Sequence, residues 1–117
     1  MTSQRTISPV DGRVYVERTL AAPVQIEAAL ESARLAQRVW RDVTMAERAA
    51  ILSRFCDVFE SRGDAIAEEL AWQMGRPLRY APSEVRGTLE RARHMIAIAA
   101  AALADIDVGP KAGFRRF

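Results

Sequence analysis

The feature that most constrains this chain is a change of period near residue 21. All 21 alanines lie beyond residue 20. From there, apolar side chains recur at spacings of three and four, the repeat of an amphipathic helix. Ile26, Ala29, Leu30, Ala33, Ala36 and Trp40 form a first stripe, opened by Pro23, a residue suited to a first helical position. Glu27, Glu31, Arg34, Arg38 and Arg41 fall on other faces, as solvated surface. Thr44-Met45-Ala46-Glu47 reads as a capping box, in which hydroxyl and carboxylate satisfy the first amides reciprocally. It predicts a second helix to about Arg62, burying Ala49, Leu52, Phe55, Cys56 and Phe59, with Gly63 as a left-handed cap. Asp64 is expected to restart a third helix, with Ile66, Leu70 and Met74 inward, closed by Gly75, Arg76 and Pro77. A fourth helix, from near Pro82, carries Val85, Leu89, Ala92, Ile96, Ala99 and Leu103, alternating four and three as a seam.

The ends read differently. Thr6 to Pro9 and Arg13 to Glu17 are extended candidates, joined across Val10-Asp11-Gly12, whose Asp-Gly step supplies a positive-φ turn position. Pro9 cannot donate to a ladder, which puts it at a strand end or edge. Beyond Asp105, Val108-Gly109-Pro110-Lys111-Ala112-Gly113 is turn chemistry, and Phe114-Arg115-Arg116-Phe117 alternates as the start of a strand would. The expected fold is therefore mainly α: a short β-hairpin over 1–20, about four helices over 21–107, and a turn with a strand start over 108–117.

Composition excludes several classes. The chain has 117 residues, 17 basic against 15 acidic, so no strongly basic nucleic-acid surface is expected. One cysteine, Cys56, rules out an intramolecular disulfide framework, and one histidine, His94, leaves no histidine pair for zinc. The longest uncharged run, 95–104, is about half a membrane span. No apolar signal-peptide core occurs near the start, which favours a cytoplasmic setting.

No catalytic constellation emerges from spacing. Cys56 lies on an apolar helix face beside Phe55 and Phe59, where a thiol behaves as a small inert hydrophobe. His94 reads as helix surface, Trp40 and Trp72 as packing anchors, and no glycines have phosphate-cradling spacing.

As an ordered string, however, the chain resembles one family. Ile7-Ser8-Pro9-Val10-Asp11-Gly12 is similar to the "N-P-x-x-G" turn of NAD(P)-dependent aldehyde dehydrogenases, with serine for asparagine. Ala29, Ala33, Ala36 and Trp40, then Glu47-Arg48 and Ile51-Leu52, follow that family's helix pair. Glu69 through Pro77 resembles its "E-x-x-x-x-x-G-K-P" segment, with Arg76 for lysine, and Glu84-Val85 opens the next helix.

The resemblance covers essentially the whole chain and implies the N-terminal segment of a longer α/β enzyme with a Rossmann-like cofactor domain. That enzyme oxidises an aldehyde to a carboxylic acid with NAD or NADP through a cysteine thioester. The segment itself is expected to hold no catalytic residue and no cofactor, and Cys56 does not match the nucleophile. The implied partners are the remainder of the polypeptide and further copies in a homodimer or homotetramer, without nucleic acid or membrane. The Ile7 carbonyl and Gln73 fall where relatives hold a structural monovalent cation, Gln73 standing in place of aspartate. Thr88 falls near the rim of their substrate tunnel. The competing reading is a free-standing helical interaction module that self-associates through the Val85 to Leu103 seam.

Overall fold

A computed structural model describes residues 2–107, 109, 110, 112 and 113, and six elements lie among them. They are strands β1 (Ser3–Ile7) and β2 (Val14–Thr19) and helices α1 (Pro23–Trp40), α2 (Met45–Ser61), α3 (Gly63–Met74) and α4 (Ala81–Ala102). The strands pair antiparallel, Ser3 opposite Thr19 and Ile7 opposite Val14, with an irregularity between Thr6 and Ile7. Gly12 takes the left-handed turn position at φ 72°. Pro9 lies just past β1, outside the ladder, as its missing N–H requires. The strand start expected at 114–117 lies outside the described residues.

Each helix boundary has a local cause. The Glu47 amide donates to Thr44 Oγ1 at 3.2 Å and the Thr44 amide to Glu47 Oε2 at 3.0 Å, closing the box at the head of α2. The Thr44 hydroxyl, which donates to Glu47 Oε2 at 2.8 Å, and the Thr44 amide hold the Glu47 carboxyl below the usual carboxylate range. At α1, Gln25 Oε1 accepts the Ala22 amide at 2.8 Å and Pro23 opens the first turn. Gly75, at φ 70°, ends α3 as its left-handed cap.

Gly63 departs from expectation. It is not a left-handed cap: α2 runs into α3 through Arg62 alone, Gly63 is the first residue of α3, and Asp64 sits inside its first turn. The chain turns at Arg62, φ −102° and ψ 10°, which needs no left-handed residue; a Cβ at Gly63 would meet the Val85 side chain at 3.5 Å, an ordinary contact.

The core sits where α2, α3 and α4 meet. Cys56, Val85 and Leu89 are buried there, with Phe59, Ile66, Ala92 and Ile96 packed around them. Two expectations change here. Phe55, expected inward, is 57% exposed, and Leu52 and Met74 are exposed with it, because no described element lies over those faces. The α4 seam is covered by α2 and α3 at its Val85 end, while Leu103 at the other end is 70% exposed. A module that pairs through the whole seam is thus not favoured, since half of it is already filled.

α1 buries none of its residues. At its end Arg48 Nη2 donates to the Trp40 carbonyl at 2.8 Å and the Arg41 carbonyl at 3.0 Å, its guanidinium 5.3 Å from the Trp40 ring. The radius of gyration is 21.1 Å, against about 13 Å for a compact domain of this length. No described helix is long and apolar enough to cross a membrane.

Candidate functional site

Two places concentrate the residues singled out in the sequence. The first is the junction of the hairpin with the end of α3. Ser8 is 1% exposed, and its hydroxyl donates to the Trp72 carbonyl at 2.7 Å while accepting the Val10 amide at 3.2 Å. The buried hydroxyl is thereby satisfied on both sides, which is what makes its burial affordable. Beside it the Tyr15 ring stacks on Trp72 at 6.4 Å between centroids. Hydrogen bonding to Glu69, helped by partial desolvation and the charges of Glu69 and Glu68, raises the Tyr15 pKa above that of an ordinary phenol. Pro9 closes the junction against Gly75, where a Cβ would come within 2.9 Å of the proline ring.

The cation candidates flank this junction. Ile7 is exposed and ends β1; Gln73 is half-buried, and its amide nitrogen donates to Glu69 Oε2. Glu69 was not a sequence candidate. Its spacing of four from Gln73 on one helix face was the available signal. No cluster of three or more His, Cys, Asp or Glu side chains suited to a metal ion occurs among the described residues.

The second place is an open groove of about 390 Å³ between α3 and α4, lined by Phe59, Ile66, Leu70, Met74, Arg76, Glu84, Val85 and Thr88. Arg76 Nη2 meets Glu84 Oε1 at 2.5 Å, tying the end of α3 to the start of α4. This pair, too, escaped the sequence reading, since Pro77 and the turn after it hide which residues come together. Thr88 is on the groove wall, and its hydroxyl donates to the Glu84 carbonyl at 2.8 Å. The groove can accommodate a small apolar body beside one charged pair.

Cys56 is in neither place. It is 1% exposed, inside the α2–α4 core behind the apolar groove between those helices. His94 is exposed on α4 among Gly87, Glu90, Arg91 and Met95. Of the glycines in or beside these elements, Gly12 is in the hairpin turn, Gly63 opens α3, Gly75 caps it and Gly87 lies within α4.

The signature of the aldehyde dehydrogenase family matches residues 1–112. The chain belongs to that family. It is 35% identical over 74 residues to the fluoroacetaldehyde dehydrogenase of Streptantibioticus cattleyicolor, a match covering 63% of this chain and 15% of that protein. It is 32% identical over 80 residues to the N-succinylglutamate 5-semialdehyde dehydrogenase of a Caulobacter species, covering 68% of this chain and 16% of the relative. Among solved structures, an NAD-dependent benzaldehyde dehydrogenase from Corynebacterium glutamicum superposes with a TM-score of 0.82 at 25% identity, over 96% of this chain and 24% of that one. The hairpin and four helices are thus an aldehyde dehydrogenase arrangement, and the chain spans only a small share of the relatives it matches.

Proposed function

We propose that this chain is the N-terminal structural segment of an enzyme that oxidises an aldehyde to a carboxylic acid with NAD or NADP through a cysteine thioester. The observation that carries this reading is the family match over residues 1–112. The segment's share is architectural. Cys56 serves as a packing residue, 1% exposed in the core, and this reading places nucleophile, general base and cofactor site in polypeptide outside 1–117. The exposed stripe of α1 and the uncovered faces of α2 and α4 suit contact with that polypeptide, in a homodimeric or homotetrameric cytoplasmic enzyme. Thr88 and the Arg76–Glu84 pair would border the path of the aldehyde, and Ile7 with Gln73 would border a cation site in which amide and carbonyl oxygens replace a carboxylate.

The test has two arms. The 117-residue chain is expected to leave NAD+ and NADP+ unreduced with aliphatic and aromatic aldehydes, and to show no saturable nucleotide binding by calorimetry. A polypeptide of the relatives' length that carries this segment is expected to reduce one of the two with an aldehyde. Nucleotide binding by the short chain, or no turnover by the long one across an aldehyde panel, would overturn the reading.

A further inference from the structure

Among the described helices, α1 alone buries no residue, so no packed face fixes its direction. What directs it is the corner that follows, from Arg41 to Thr44. That corner lacks the usual stop. The cap of α1, Arg41, has φ −60° and ψ −28°, values at which a helix continues, and no left-handed residue follows it. The backbone closes the end with short steps: the Arg41 amide donates to the Gln37 carbonyl at 3.0 Å, Asp42 to Val39 at 3.2 Å and Val43 to Trp40 at 3.1 Å.

Arg48 reaches back across this corner from α2. Its Nη2 donates to the Trp40 and Arg41 carbonyls at 2.8 and 3.0 Å, and its guanidinium carbon lies 5.3 Å from the centre of the Trp40 ring. Two further observations bear on what holds it there. As the fourth residue of α2, Arg48 puts a positive charge near the positive end of that helix, where it is unfavourable. The same charge sits at the negative end of α1, where it is favourable. Its Nε, moreover, is buried with no hydrogen-bond partner among the described residues. A side chain free to swing into water would hydrate that N–H, so the carbonyls and the indole hold the guanidinium down against this cost.

We infer that Arg48 is a clamp that sets the angle between α1 and α2. Bonded from the second helix to the last carbonyls of the first, it fixes the direction in which α1 presents its apolar stripe. Two neighbouring side chains divide the corner between them. Glu47 closes the head of α2 with Thr44, and Arg48 closes the tail of α1. The clamp does not depend on what covers α1 or on the aldehyde chemistry proposed above, and its success or failure is read without any enzymatic assay.

Spin labels on cysteines that replace Ser32 in α1 and Glu90 in α4, both exposed, report the angle by double electron–electron resonance. The 117-residue chain with Arg48 intact is expected to give one narrow distance, and Arg48→Ala a broad distribution. Hydrogen exchange supplies the second measurement. In Arg48→Ala the amides of Arg41, Asp42 and Val43 should exchange about tenfold faster or more, the loss expected for charge-assisted hydrogen bonds at that end. The amides of α2 should keep their rates or slow, since a charge unfavourable to that helix is gone. This split separates a clamp from a general loss of stability, which would speed both helices alike. Arg48→Lys keeps the charge and the stem but not the planar fork over the indole, and should fall between the two. A broad distribution with Arg48 intact, an equally narrow one in Arg48→Ala, equal acceleration in α1 and α2, or full wild-type behaviour of Arg48→Lys would each overturn the inference.

Discussion

Replacing Gly75 by alanine tests how the hairpin is held to the helices. Gly75 has φ 70°, and its added Cβ would lie 2.9 Å from Pro9 Cγ and 3.4 Å from Pro9 Cβ. The left-handed conformation alone costs an alanine about 1–2 kcal/mol. Contact with a rigid proline ring adds about 1–3 kcal/mol, because the ring cannot rotate away as a long side chain would. Gly12 provides the control, since its φ is 72° but nothing lies within 4 Å of an added Cβ. Gly12→Ala should therefore cost about 1–2 kcal/mol and Gly75→Ala about 2–5 kcal/mol. Urea unfolding followed by far-ultraviolet circular dichroism gives both values. Trp72 fluorescence in a Trp40→Phe background reports separately on the Tyr15–Trp72 stack. Adding Pro9→Ala to Gly75→Ala removes the Cγ and should recover about 1 kcal/mol or more as a coupling energy. Equal costs at the two glycines, or no coupling with Pro9, would refute the docking of the hairpin on the α3 cap.

Three further outcomes are expected. Ser8→Ala removes the hydroxyl that serves both the Trp72 carbonyl and the Val10 amide, and should cost about 1–3 kcal/mol in the same unfolding assay while disturbing the Trp72 signal. Cys56, buried in the core, should resist thiol-specific reagents in the folded chain and react only as urea unfolds it; rapid labelling of the native chain would contradict its packing role. Because the folded pKa of Glu47 is lowered by Thr44, its stabilising contribution is present above the ordinary carboxylate pKa and is lost as pH falls through the lower folded value. Thr44→Val should flatten that acid limb of the melting temperature, and an unchanged limb would remove the capping box as its cause.

The readable features of the sequence were those with local causes. The Thr44–Glu47 box, Pro23 at the head of α1 and Gly75 as a cap need only neighbours in sequence. The order of hairpin and helices follows from period alone. Gly63 misled because a glycine after a helix need not be its left-handed cap: the corner is turned at Arg62, φ −102° and ψ 10°, and Gly63 itself is helical. Ser8 could be matched to a motif but not to its partner, since nothing in its surroundings names the carbonyl of Trp72. Period showed that α1 has an apolar face; whether anything covers a face depends on the rest of the fold. For the groove, Thr88 could be placed on α4, but the joining of Arg76 to Glu84 depends on the turn between their helices.

The hairpin's anchor also sets an order of events in synthesis. Ser8 leaves the ribosome early, but its acceptor, the Trp72 carbonyl, lies 64 residues behind it. At about 5–20 residues per second, the two strands wait roughly 3 to 13 seconds before the surface they dock on exists. A two-stranded ribbon is marginal alone in water, so throughout that interval its edges are open to other chains. The charged side chains of Arg5, Glu17 and Arg18 on the ribbon are then its protection against pairing with the wrong strand.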